Sequence, residues 1–88
     1  MTYSIEFQPA ARRELRKLPP QIQKQIMPHI DALAANPRPS GVVKLENKSE
    51  LYRVRSGDYR IVYIIQDDAL IVLVVKIAKR GDVYSRRR

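Results

Sequence analysis

The sequence predicts an α+β fold in the order β-α-α-β-β-β-β, an N-terminal helical hairpin packed on a small, mostly antiparallel twisted sheet. Three observations predict it. Apolar and polar residues alternate over 2–8, apolar residues recur at helical spacing between 9 and 35, and alternation returns after 51 in runs broken by Gly57-Asp58 and by Asp67-Asp68-Ala69.

Tyr3, Ile5 and Phe7 against Thr2, Ser4 and Glu6 describe a half-buried strand. Pro9 suits the first position of a helix whose apolar stripe is Ala11, Leu15 and Leu18, with Arg12, Arg13, Arg16 and Lys17 off the stripe. Pro19-Pro20 stops that helix and opens a second over 20–35, carried by Ile22, Ile26, Ile30 and Leu33. Pro28 falls inside it, and an interior proline removes a backbone bond, so a kink or split is expected near Met27. A loop follows at 36–41, then a short, edge-like strand at 42–46 and a turn. Residues 51–56 and 59–66 flank Gly57-Asp58 as a hairpin. The run 70–80 is apolar on both faces until Lys76, which argues for a central place in the sheet.

The 88 residues argue for one domain over 1–88, with a thin core, and no stretch approaches the roughly 20 apolar residues of a membrane span. The N-terminus shows no basic-then-apolar signal pattern, so a cytoplasmic protein is expected. Cysteine is absent, which removes disulfides, thiolate zinc sites and thiol nucleophiles together. There is no acidic cluster for magnesium, and the single histidine, His29, reads as a surface or packing residue; neither a metal nor a cofactor is implied. Net charge is +8, from 17 Lys and Arg against nine Asp and Glu, and the excess is larger after residue 50. Such a balance favours nucleic acid, a ribosome or an acidic protein segment as partner.

The charge falls on the strands themselves. In "LYRVRSGDYRIVY" (51–63), alternation puts Arg53 and Arg55 on one face and Tyr52 and Val54 on the other, while Arg60 shares a face with Val62 and Ile64. Farther on, Lys76, Ala78 and Arg80 are expected on the face of Val72 and Val74. With the helices on the opposite face, Arg53, Arg55, Arg60, Lys76 and Arg80 converge, provided strand order and register allow it. Arginine offers a permanently charged planar fork that matches phosphate oxygens, so the chemistry suggested is phosphate binding. The other reading is a solvated face whose charges prevent edge-to-edge aggregation.

The strand-helix-helix opening "EFQPAARRELRKLP", then "YRVRSGDYRIVY" and "KRGDVY", resembles the RelE/ParE superfamily of bacterial and archaeal toxins, whose RelE-like members share a fold with microbial ribonucleases. The resemblance covers nearly the whole chain and favours the RelE-like branch, which implies the toxin of a type II toxin-antitoxin system: an endoribonuclease (mRNA interferase) that cleaves mRNA in the ribosomal A site and so inhibits translation. The alternative is a ParE-like DNA gyrase poison without nuclease activity. The RelE pattern implies Arg53 and Arg55 before the hairpin turn, Arg60 after it, Arg80 at the end of the last strand and Tyr84 in the tail as catalytic residues. Arg53, Arg55, Lys76, Lys79 and Arg86 are the implied RNA-binding set. The best-known RelE members carry lysine where this chain has Arg53 and Arg55; arginine does not give up its proton, so both read as electrostatic stabilisers and the general base is unassigned.

The reaction so implied needs no metal or cofactor: a ribose 2′-hydroxyl attacks the adjacent phosphorus, leaving a cyclic or 3′-phosphate and a 5′-hydroxyl. Arg60 and Arg80 would hold the scissile phosphate, and Tyr84 would stack on a base or assist proton transfer. Tyr52, Tyr59 and Tyr63 read as core or rim aromatics. The implied partners are the ribosome with its mRNA and a cognate antitoxin, acidic and folding on binding, through which the toxin-antitoxin complex would contact operator DNA.

Overall fold

In a computed structural model, residues 2–45 and 51–79 are described. The elements are β1 (Ser4–Phe7), α1 (Pro9–Lys17), α2 (Pro20–Ala32), β2 (Val43–Lys44), β3 (Leu51–Ser56), β4 (Tyr59–Gln66) and β5 (Ile71–Lys79). They form a five-stranded sheet in the order β1-β5-β4-β3-β2, in which only β1 and β5 run parallel. The expected α+β architecture, the edge position of β2 and the interior position of β5 are all present.

Prolines open both helices, where the missing N–H has no intrahelical partner to lose. Of the kink or split expected near Met27, the split does not occur: α2 runs unbroken through Pro28. The bond that Pro28 cannot make would end on the carbonyl of Lys24, and both residues are solvent-exposed, so water can satisfy that carbonyl.

Both helices cover one face of the sheet. Ala11, Ile26, Ile30 and Leu33 pack into a single core with Tyr52, Val54, Ile61, Tyr63, Ile65, Val72, Val74 and Ile77. Tyr63 is fully buried in the middle of β4, lies over Tyr52 with ring centroids 6.1 Å apart, and donates its hydroxyl to the Pro37 carbonyl at 2.7 Å. Tyr52 and Tyr63 are thus core aromatics, with Tyr59 half-buried against the same core.

One irregularity decides which residues share a face. Val62 pairs with Lys76 but Tyr63 pairs with Val74, so Val75 is an extra residue in β5. This bulge shifts the alternation by one. Val72, Val74 and, beyond the bulge, Ile77 all belong to the core, while Ala78 lies directly across from Arg60. The expectation that Lys76 and Ala78 share a face with Val72 and Val74 is therefore corrected, because simple alternation does not run through a bulge. Beyond the end of β1, Glu14 of α1 closes the sheet edge at this bulge: Ile77 N–H donates to its Oε1 at 2.8 Å and Lys76 Nζ to its Oε2 at 3.1 Å.

The far end of the sheet is tied by side chains distant in sequence. The Arg38 guanidinium donates two bonds to the Asp67 carboxylate, at 2.9 and 3.3 Å, and a third to the Tyr52 hydroxyl, while the Tyr3 hydroxyl donates to Asp67 at 2.6 Å. These contacts join the start of β1, the 36–41 loop and the β4–β5 turn, where Leu70 takes a left-handed backbone (φ 57°). Arg38, with Tyr3 beside it, holds the Asp67 carboxyl below the ordinary aspartate range. A carboxyl lowered in the native state contributes stability that is complete above its unfolded pKa and fades as pH falls through its native one. Asp67→Asn is accordingly expected to lower stability modestly at neutral pH, with the difference from wild type closing as pH falls through the native Asp67 pKa, so that the acid limb flattens, as read by urea midpoints across that range.

Candidate functional site

The face of the sheet opposite the helices carries the arginines. Leu45 N–H bonds to the Leu51 carbonyl on the β2 side, so Leu51 and, by alternation, Arg53 and Arg55 turn their backbone groups toward β2 and away from β4. Arg53↔Val62 and Arg55↔Arg60 are therefore non-hydrogen-bonded pairs across β3 and β4, the kind with Cα atoms only about 4.5 Å apart and side chains closest. The chain thus places two guanidinium side chains directly opposite each other, with Arg53 two residues along the same face.

Like charges in direct cross-strand register destabilise a sheet. Burial sharpens the effect. Arg60, on the central strand, is only 8% exposed and lies between Arg55 and Ala78. A group so placed is poorly screened by water, and an anion reaching this face would meet the forks of both side chains. What the arrangement can do chemically is hold a phosphodiester and stabilise charge that develops on it. Among the described residues, no cluster of histidine, cysteine, aspartate or glutamate could hold a metal ion.

The other site residues expected from the sequence fall as follows. Lys76 lies across from Val62, but its ammonium is paired with Glu14 at the sheet edge. Lys79 lies across from Tyr59, whose neighbours on the same face belong to the core; this is the helix side, opposite the arginines. Arg80, Tyr84 and Arg86 lie outside the described residues. His29 is exposed on α2, as expected, but its Nδ1 shares a 2.6 Å hydrogen bond with the hydroxyl of the buried Ser56. The sequence did hold a signal for Ser56: it is the one small polar residue on the apolar side of "LYRVRS".

A family profile described as the ParE toxin of the type II toxin-antitoxin system matches residues 5–84. Toxin RelG of Mycobacterium tuberculosis is 31% identical over 98% of this chain and all of its own length. The mRNA interferase toxin RelE of Escherichia coli is 32% identical over 97% of this chain and 93% of its own. The archaeal RelE–RelB complex of Pyrococcus horikoshii contains a chain that superposes with a TM-score of 0.80 at 30% identity, covering 93% of this chain and 99% of that one. With the element order and the sheet in agreement, the chain belongs to the RelE/ParE superfamily of type II toxin-antitoxin toxins, in its RelE-like branch.

Proposed function

We propose that this chain, acting as one domain in the cytoplasm, is a ribosome-dependent endoribonuclease that cuts mRNA in the ribosomal A site and is held inactive by a cognate antitoxin. The observation that carries the reading is the Arg55↔Arg60 pair on the uncovered sheet face, with Arg53 beside it. The name of the Escherichia coli relative and the antitoxin complexes among the structural neighbours support it.

In this reading the 2′-hydroxyl of one ribose attacks the adjacent phosphorus, and the bond to the 5′-oxygen of the next nucleotide breaks. Arg60 and Arg55 bind the non-bridging oxygens, whose negative charge grows in the transition state; Arg53 adds to the field and positions the backbone. Arg80 joins the phosphate grip and Tyr84 stacks on a base or assists proton transfer. Arginine cannot act as the proton acceptor, so the set of Arg53, Arg55 and Arg60 accelerates by charge stabilisation. The ribosome compensates for the missing base by aligning the attacking group, which alone can supply several kcal/mol. Arg86 contributes phosphate contacts outside the arginine pair, and Lys76 does so where it can leave Glu14; Lys79, on the helix side, stands apart from the site. The net charge of +8 suits an acidic antitoxin segment as the inhibitor, and the resulting complex would contact operator DNA through the antitoxin.

Toeprinting of translating ribosomes is expected to show mRNA breaks in the A site, with a 5′-hydroxyl on the downstream fragment and little cleavage of free RNA. Intact mRNA in the presence of the wild-type chain would reject the reading. Stabilised DNA breaks on gyrase, with translation unaffected, would establish the ParE-like alternative instead.

A further inference from the structure

The arginine pair lies at the turn end of its hairpin. Arg55 and Arg60 form the last cross-strand pair before the closing pair, Ser56↔Tyr59, and the two-residue turn Gly57-Asp58. That end is held from the other face of the sheet by α2. Ser56, 1% exposed, shares its hydroxyl with His29 Nδ1 at 2.6 Å, and its carbonyl accepts from Gln25 Nε2 at 3.1 Å. Gln25 and His29 are one helical turn apart, so they reach the same residue from the same side of α2. Gly57 takes φ +60°, and a Cβ there would run into the Gln25 amide. Three features thus meet on one turn: a left-handed glycine, the amide packed over it, and a buried serine clasped by an exposed histidine.

We propose that Gln25, His29 and Ser56 are positioning residues that hold the hairpin end rigid, so that Arg55 and Arg60 keep their register and meet the phosphate pre-aligned. This rests on the endoribonuclease reading. The clamp touches no substrate; it acts through the two arginines, which stand on the opposite face. Losing it leaves the charges present but misplaced, a defect that slows the bound complex without weakening its formation, since a displacement of about 1 Å can cost roughly a hundredfold.

The test uses the full chain in single-turnover cleavage on programmed ribosomes, with the toxin concentration varied. Ser56→Ala and His29→Leu are each expected to lower the maximal rate by about ten- to a hundredfold, with the half-saturating concentration unchanged. His29→Asn places an amide atom where Nδ1 stands and is expected to restore most of the rate. Because Ser56 is buried, its variant puts the fold at risk; His29 is exposed, and its variants remove or restore the same bond from outside. Nitrogen relaxation of the Arg55 and Arg60 Nε–H groups gives a second readout: both are expected to become more mobile in His29→Leu and to stay rigid in His29→Asn. If the wild type cuts and His29→Leu cuts equally fast with unchanged arginine mobility, the clamp is overturned while the nuclease reading stands. If the wild type leaves ribosome-bound mRNA intact, that reading falls and the clamp's role falls with it.

Discussion

Arg60→Ala is expected to lower mRNA cleavage on the ribosome by roughly 10²–10³-fold, the loss typical of removing one preorganised donor from a developing oxyanion. Arg60 is the member of the cluster for which the expectation is largest. It is on the central strand, 8% exposed, with Arg55 directly across from it on β3 and Ala78 on β5. Its low exposure also means that its charge acts through a medium less polar than water, where a fixed donor counts for more. Arg60→Lys keeps the charge but loses the planar fork, and an intermediate rate is expected. Arg12→Ala is the matching control. Arg12 lies on α1 with its guanidinium 5.3 Å from the centre of the Phe7 ring, on the covered side of the molecule, and its loss is expected to leave the rate unchanged. The measurement is a toeprint time course with equal amounts of folded protein. Equal rates for wild type and Arg60→Ala would remove the cluster from the chemistry.

Tyr63→Ala is expected to be the most damaging single change to stability, at about 3–5 kcal/mol. That is a large share of the roughly 5–15 kcal/mol that holds an ordinary domain together. The ring is wholly buried at the centre of the sheet, stacked on Tyr52, and its hydroxyl is the partner of the Pro37 carbonyl. Burial pushes the Tyr63 hydroxyl well above the usual tyrosine range, so it stays a neutral donor throughout the physiological range. Tyr63→Phe separates the two contributions: it keeps the ring and loses the hydrogen bond, for an expected loss of about 1–2 kcal/mol. Urea unfolding midpoints of the two variants check both figures. A Tyr63→Phe loss as large as that of Tyr63→Ala would mean that the Pro37 contact, and with it the 36–41 loop, holds the fold more than the ring does.

Much of the molecule is legible in its sequence because the governing interactions are local. Alternation identifies β1, β3 and β4; proline placement marks the starts of α1 and α2; Gly57-Asp58 marks the hairpin. The same alternation already separates Arg53 and Arg55 from Tyr52 and Val54. Pro28 leaves α2 unsplit for a physical reason: its penalty depends on whether the orphaned carbonyl can reach water, and that is a property of the helix's surroundings. The Arg38–Asp67–Tyr3 tie has no sequence signal, since its partners are 29 and 64 residues apart.

The sequence by itself determined the element order, the two-faced character of the hairpin and the presence of enough arginine on its strands to bind phosphate. These follow from backbone periodicity and from residue chemistry, which act within a few residues of each other. The two-residue turn also sets Arg55 opposite Arg60, but only the tertiary structure decided that Lys76 is drawn off to Glu14, and that Ala78 lies beside Arg60 while Val72 and Val74 are buried. Strand register and the bulge at Val75 set these relations. Both arise from packing β5 between β1 and β4, a competition among distant segments that no local pattern encodes.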